Sequence, residues 1–220
     1  MEEEIGIAAG AVELPGDLVV PESARAMVVF AHGSGSSRLS ERNRYVASAL
    51  RESGHFGTLL FDLLTPEEDE THANRFDIAL LGDRLRIATE QLLAREGLRA
   101  MPVGFFGAST GAAAAIVATW HLRRRVRAVV SRGGRPDLAG QALDVLTAPT
   151  LLIVGGRDTE VLSINEQALV RVPAVEKHLS IVPGATHLFE EEGALETASG
   201  LAVRWFERFL LASHSVDLER

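Results

Sequence analysis

Cysteine is missing from all 220 residues, which excludes disulfides, thiolate metal sites and a cysteine nucleophile. Lysine is confined to Lys177, so nearly all positive charge is carried by arginine. No apolar run approaches the roughly 18 residues expected of a membrane span. The first residues, Met1-Glu2-Glu3-Glu4, are acidic, whereas a secretory leader has a basic start and an apolar run. A formal net charge of −8 argues against non-specific binding to nucleic acid. What is present is 46% hydrophobic residues, enough to bury a large core. The expectation is a single domain over residues 1–220, cytoplasmic, with no membrane or nucleic-acid partner; the oligomeric state is not readable.

Short apolar runs alternate along the chain with amphipathic stretches. The runs are Val28–Ala31, Thr58–Phe61, Val103–Phe106, Val126–Val130, Leu151–Val154 and Leu179–Val182. Bounded by Gly, Pro or Asp, they read as buried strands. Between them, Asp77–Arg95 places Ile78, Leu81, Leu85, Ala88 and Leu92 at helical spacing. Arg42–Glu52 places Tyr45, Val46, Ala49 and Leu50 on one face. Ala112–Leu122, Asp137–Leu146, Thr159–Val170 and Ala194–Leu211 complete the predicted helices. Strand–helix alternation implies right-handed crossovers and a mostly parallel sheet with helices on both faces. Ile5–Val20, with Pro15-Gly16-Asp17 between two short apolar segments, reads as an N-terminal antiparallel hairpin on the sheet edge. The acidic run Glu67-Glu68-Asp69-Glu70 reads as a solvated loop.

The most informative segment is Val103–Ala112, where Gly107-Ala108-Ser109-Thr110-Gly111 fits G-x-S-x-G between an apolar strand and an alanine-rich helix. The pattern alone is weak; the strand–turn–helix context strengthens it. A serine there is held in strained backbone with its hydroxyl above the sheet. The plainer alternative is a helix-capping serine. A serine hydroxyl is a poor nucleophile near neutrality and needs a base, which needs an orienting carboxylate.

Two later strand ends supply candidates. Leu151–Gly155 leads through Gly156-Arg157 to Asp158, and Ile181-Val182 leads through Pro183-Gly184-Ala185-Thr186 to His187. Taken alone, Asp158 reads as a helix cap and His187 as a loop histidine. Together with Ser109, in the order Ser–Asp–His at successive strand ends, they read as catalytic. No histidine pair has metal-site spacing, so no metal and no cofactor is expected.

A tetrahedral intermediate needs backbone N–H donors. Thr110, after the nucleophile and at a helix N-terminus, is the first candidate; the second is Ser34, then Gly35, in His32-Gly33-Ser34-Gly35-Ser36-Ser37. His32 is read as shaping that loop by hydrogen bonding rather than acting as a second base, and it is also a candidate substrate contact. A nucleotide-phosphate role for the loop lacks the lysine or third glycine it would require. After Val126–Val130, Ser131-Arg132-Gly133-Gly134-Arg135 puts two guanidinium groups on a glycine-rich loop, so Arg132 and Arg135 are candidate substrate contacts.

The stretches His-Gly-Ser-Gly, Gly-Ala-Ser-Thr-Gly, Gly-Gly-Arg-Asp and Pro-Gly-Ala-Thr-His resemble the α/β-hydrolase superfamily over roughly Ala26–Leu211. The short chain resembles its dienelactone hydrolase-like branch. The resemblance implies a mostly parallel sheet of about eight strands. Dienelactone hydrolase uses cysteine where this chain has Ser109, which favours a carboxylesterase or related acyl hydrolase. Family members often carry a helical cap before the strand matching Leu151–Val154; only Ser131–Thr150 is available here, so no lid domain and an open site are expected. The expected partner is a small or water-soluble ester, hydrolysed through an acyl-enzyme. A thioesterase or peptidase on the same residues, and a silent binding protein that keeps the fold, remain open.

Overall fold

A computed structural model of the chain describes residues 1–211. Its centre is one eight-stranded sheet, built from β1 (Glu2–Ala9), β2 (Val12–Val19), β3 (Ala26–Ala31), β4 (Phe56–Phe61), β5 (Val103–Ala108), β6 (Val126–Arg132), β7 (Thr150–Gly155) and β8 (Lys177–Val182). The strands lie in the order β1-β2-β4-β3-β5-β6-β7-β8. β3 to β8 run parallel, and the β1–β2 hairpin joins β4 antiparallel. The helices are α1 (Glu41–Glu52), α2 (Pro66–Asp69), α3 (Ile78–Ala94), α4 (Thr110–Leu122), α5 (Thr159–Arg171) and α6 (Ala194–Leu210). α1 and α6 cover one face of the sheet, and α3, α4 and α5 the other. β3, β5 and β7 are buried along their whole length, which is why they read as unbroken apolar runs rather than alternating ones.

Four expectations change in detail. The hairpin turns at Gly10-Ala11, where Gly10 takes φ 69°, and Pro15-Gly16-Asp17 lies inside β2. Pro15 lies where β2 leaves the β4 ladder: its carbonyl accepts from Asp62 N–H at 3.0 Å, one residue past Phe61, the last β4 ladder residue. Residues 136–145 form a 3₁₀ helix broken at Gly140 (φ 57°), not an α-helix. The acidic run is the one-turn helix α2, started by Pro66 and a reciprocal Thr65–Glu68 capping box, with Glu68 paired to Arg84 at 2.8 Å. The buried face of α1 is Asn43, Val46, Ala47 and Leu50, while Tyr45 is exposed.

Between β6 and β7 only the 3₁₀ segment intervenes, so no lid covers the C-terminal edge of the parallel strands. Among the described residues no helix is long and apolar enough to cross a membrane.

Candidate active site

Side chains at the helix starts divide into those that cap and those that do not. Ser40, Thr65 and Asp77 each accept a backbone N–H in the first turn of the helix they precede. Ser109 and Asp158 occupy the same position before α4 and α5, yet neither side chain caps its helix. The capping alternative for both residues is therefore not what the structure shows. The Asp158 carboxylate instead accepts from His187 Nδ1 at 2.6 Å. That bond leaves Nε2 as the unprotonated nitrogen of a neutral ring.

Ser109 sits at φ 51°, ψ −121°, a conformation costing a non-glycine residue about 1–3 kcal/mol. The neighbouring glycines are there for space. A Cβ on Gly111 would lie 2.1 Å from the Ala31 carbonyl oxygen, and one on Gly107 would lie 2.5 Å from Ala112 Cα. A Cβ on Gly33 would lie 3.0 Å from Ser109 Cβ, so the His32–Ser37 loop runs directly against the serine. From the other side, Ser109 N–H donates to the Arg132 carbonyl (3.2 Å) and its carbonyl accepts from Arg135 N–H (3.1 Å). The same loop meets the histidine: a Cβ on Gly133 would lie 3.4 Å from His187 Nδ1 and Cε1. Ser109 and His187 thus flank one short loop, and the serine hydroxyl has no hydrogen-bond partner among the described residues.

The β7 and β8 ends are tied together below the Asp158–His187 pair. Gly156 N–H donates to the Val182 carbonyl and Arg157 N–H to the Ala185 carbonyl, each at 2.9 Å. A Cβ on Gly155 would lie 2.4 Å from the Ala185 oxygen, which accounts for glycine at that crossing. Two other carboxylates nearby are committed elsewhere: Glu191 accepts Thr186 N–H at 3.0 Å, and Glu190 meets Arg42 at 3.3 Å.

Thr110 begins α4, where N–H groups have no intrahelical acceptor. It shares a small cavity of about 10 Å³ with Ser34 and Gly35. His32 is only 7% exposed, and both its nitrogens are bound to backbone: Nδ1 to the Gly33 carbonyl (2.9 Å) and Nε2 to Leu63 N–H (3.0 Å). Burial pushes its pKa below the ordinary 6.5. The ring holds the loop shape and has no free nitrogen for a substrate. Arg135 is likewise withdrawn, its guanidinium gripping Asp137 at 2.9 and 2.7 Å.

Several contributors had no local sequence signal. Arg38 clamps the loop after β3 to Asp62 (2.9 Å) and Asp17 (3.3 Å), partners more than twenty residues away. Asn165, fully buried on α5, donates to the Gly134 carbonyl at 2.9 Å and fixes the loop beneath Ser109. Phe189, two residues after His187, is buried at φ 57°. His55 is half-buried and His72, His121 and His178 are exposed; His214 lies outside the described residues. Among the described residues no group of His, Asp and Glu could hold a metal.

Comparison with known proteins agrees with this architecture. No family model matches the chain. A dienelactone hydrolase from Anabaena variabilis superposes with a TM-score of 0.91 at 50% identity, covering 96% of this chain and 98% of its own. The chain therefore belongs to the dienelactone hydrolase-like branch of the α/β-hydrolases. An α/β serine hydrolase without a lid from Xanthomonas campestris shares the fold at TM-score 0.79 and 20% identity, over 96% of each chain. Two Mycobacterium tuberculosis proteins provisionally named phosphoribosyl transferases are 58% identical over 205 residues. That match takes in 93% of this chain but 46% of theirs, so the chain spans about half the length of these relatives.

Proposed function

We propose that this hydrolase cleaves small or water-soluble carboxylic esters through an acyl-enzyme, with Ser109 as nucleophile, His187 as general base and Asp158 as the carboxylate that orients it. The observation that carries the reading is the 2.6 Å Asp158–His187 bond across the loop from a strained, uncapped serine. In this reading His187 Nε2 takes the Ser109 proton as Oγ attacks the ester carbonyl. The N–H groups of Thr110 and of Ser34 or Gly35 stabilise the oxyanion. The alcohol leaves with the proton from His187, and water, activated by the same imidazole, releases the acid. The unbound serine hydroxyl is compatible with this, because such contacts often tighten only with substrate present.

The phosphoribosyl transferase name of the mycobacterial relatives supports no second reading, because the chain accounts for less than half of their length. The groups gathered here, a hydroxyl, an imidazole and a carboxylate, suit acyl transfer to water. The test is labelling with a fluorophosphonate probe together with turnover of an activated ester. Ser109→Ala is expected to lose both, at nearly unchanged melting temperature; labelling that survives the substitution would assign the nucleophile elsewhere.

A further inference from the structure

Far from Ser109, a cavity of about 680 Å³ opens at the other end of the sheet. It is lined by Val126, where β6 begins, and by Thr147-Ala148-Pro149, which lead into β7. Ser109, Asp158 and His187 instead follow the opposite ends of β5, β7 and β8. The length of β6, Val126–Arg132, separates the two places by roughly 20 Å. The volume lies within the about 300–1,000 Å³ of sites that hold small molecules.

Its lining is partly aromatic, and its charge is of one sign. Trp120, on the last turn of α4, lines the cavity and keeps 51% of its surface exposed. Phe209 of α6 also lines it, and Trp205, one turn earlier, steadies that wall. The Trp205 ring lies 4.6 Å from that of Phe209, and its Nε1 donates to the Pro149 carbonyl at 3.4 Å. Both tryptophans of the chain therefore stand at this end. Arg123, Arg124 and Arg127 supply the lining charge, and among the described residues no carboxylate lines the cavity. Arg123 and Arg124 are exposed, and neither guanidinium has an ion pair or hydrogen bond among the described residues. Asp144, beside the lining residue Val145, is taken by Arg171 at 2.9 Å. Glu176, whose carbonyl accepts Thr150 N–H, is taken by Arg208 at 3.0 Å. Arg123 also has φ 50°, ψ −125°, backbone that side chains rarely adopt. A cation after a helix C-terminus answers the helix dipole. That accounts for neither an arginine in backbone suited to glycine nor a half-exposed tryptophan beside a cavity. In a chain of net charge −8, a cationic cavity is a local feature and not a product of overall composition.

We propose that this cavity binds a small aromatic anion, an aryl carboxylate or aryl phosphate, at a site separate from the Ser109 centre. The ring of the ligand lies against Trp120 and Phe209 and covers the exposed indole. Its anionic group meets Arg123 and Arg124, whose planar donors match either oxyanion. Exposed charge contacts are weak singly, so the anion alone binds poorly, and the ring alone leaves the arginines unanswered. A second copy of the chain, docked here about a two-fold axis, would bring the same arginines together, whereas a small anion neutralises them. The proposal makes no use of the hydrolase reading.

The full chain is titrated by calorimetry with 2-naphthoate, 1-naphthyl phosphate, 2-naphthol and inorganic phosphate. Saturable binding of at least one naphthyl anion is expected, about tenfold or more tighter than 2-naphthol or inorganic phosphate. The tighter of the two anions identifies the oxyanion preferred. Trp120→Ala should weaken that binding about tenfold, and Arg124→Gln several-fold. Arg123→Gly separates binding from folding: glycine takes φ 50° more readily, so melting temperature is held or raised while affinity falls several-fold. Absence of saturable binding by both naphthyl anions overturns the site. Binding of undiminished strength in Trp120→Ala and Arg123→Gly overturns it too, because the probe would then sit elsewhere, the Ser109 centre included. Light scattering that finds a dimer in the wild type and a monomer in Trp120→Ala would give this face to a second copy and likewise overturn the proposal.

Discussion

Ser109 and Asp158 sit where helices usually find their caps, and each withholds its side chain from the helix. For Asp158 the alternative use is visible in the bond to His187. Asp158→Asn should lower kcat by about 10³–10⁴, because the amide stabilises the wrong imidazole tautomer, with little change in melting temperature. A near wild-type rate would require another carboxylate, yet Glu190 and Glu191 are held by Arg42 and Thr186. His32 makes a different prediction. Its folded pKa is depressed by burial, so the unfolded chain takes up a proton near 6.5 before the folded protein does. Its contribution to stability is complete above that pH and is lost as pH falls below it toward the folded value. His32→Gln should flatten the slope of unfolding free energy against pH below about 6.5, measured by urea titration. A slope identical to wild type would mean that His32 is not the group responsible.

Among the elements, α6 is closest to a pure packing device. Its Phe206 is fully buried, meets the Phe56 ring at 6.3 Å and fills the space left by Gly104, whose Cβ would lie 2.5 Å from that ring. Phe206→Ala should cost about 3–5 kcal/mol in urea unfolding, since the sheet cannot collapse into the gap. A loss below about 1 kcal/mol would show that α6 is not anchored there. The elements also mark where reading the chain succeeds. Strands and long helices were legible because burial imposes a period that the sequence must display: Ile78, Leu81, Leu85, Ala88 and Leu92 all face the core. The hairpin turn was not. Pro-Gly-Asp carries strong turn chemistry, but Gly16 packs against Phe61 and Asp17 is held by Arg38, contacts that local propensity does not contain. The segment at 136–145 has a helical pattern, yet Gly140 breaks it.

On the scale of the molecule, the eight-stranded sheet leaves the C-terminal edge of its parallel strands without a lid. A lid would be the wall for a long acyl chain, so an open edge favours short ones. Across a panel of aryl esters, kcat/KM should be highest for acetyl to butyryl groups and decline with longer chains. A steady rise with acyl length would imply an apolar groove that forms only with substrate. The curated relatives are about twice as long as this chain, which makes the esterase reading a statement about the portion they share.

The order Ser109, Asp158, His187, the strand before each and the glycines around the serine were written in the chain, because strand, turn and helix are specified by neighbours in sequence. So was the oxyanion loop as a candidate, from its small residues after β3. Which polar groups remain free for chemistry was decided only by tertiary packing. Identical in the chain, the arginines at 84, 132 and 135 diverge once folded: the first is neutralised by Glu68, the last by Asp137, and Arg132 is buried against Asn43 and Phe189 without a counter-charge. His32, read in sequence as a loop-shaping residue and a candidate substrate contact, is spent on the backbone of Gly33 and Leu63. The physical reason is that hydrogen-bond and charge pairing depend on distances of a few ångströms between residues tens of positions apart, and those distances exist only in the folded sheet.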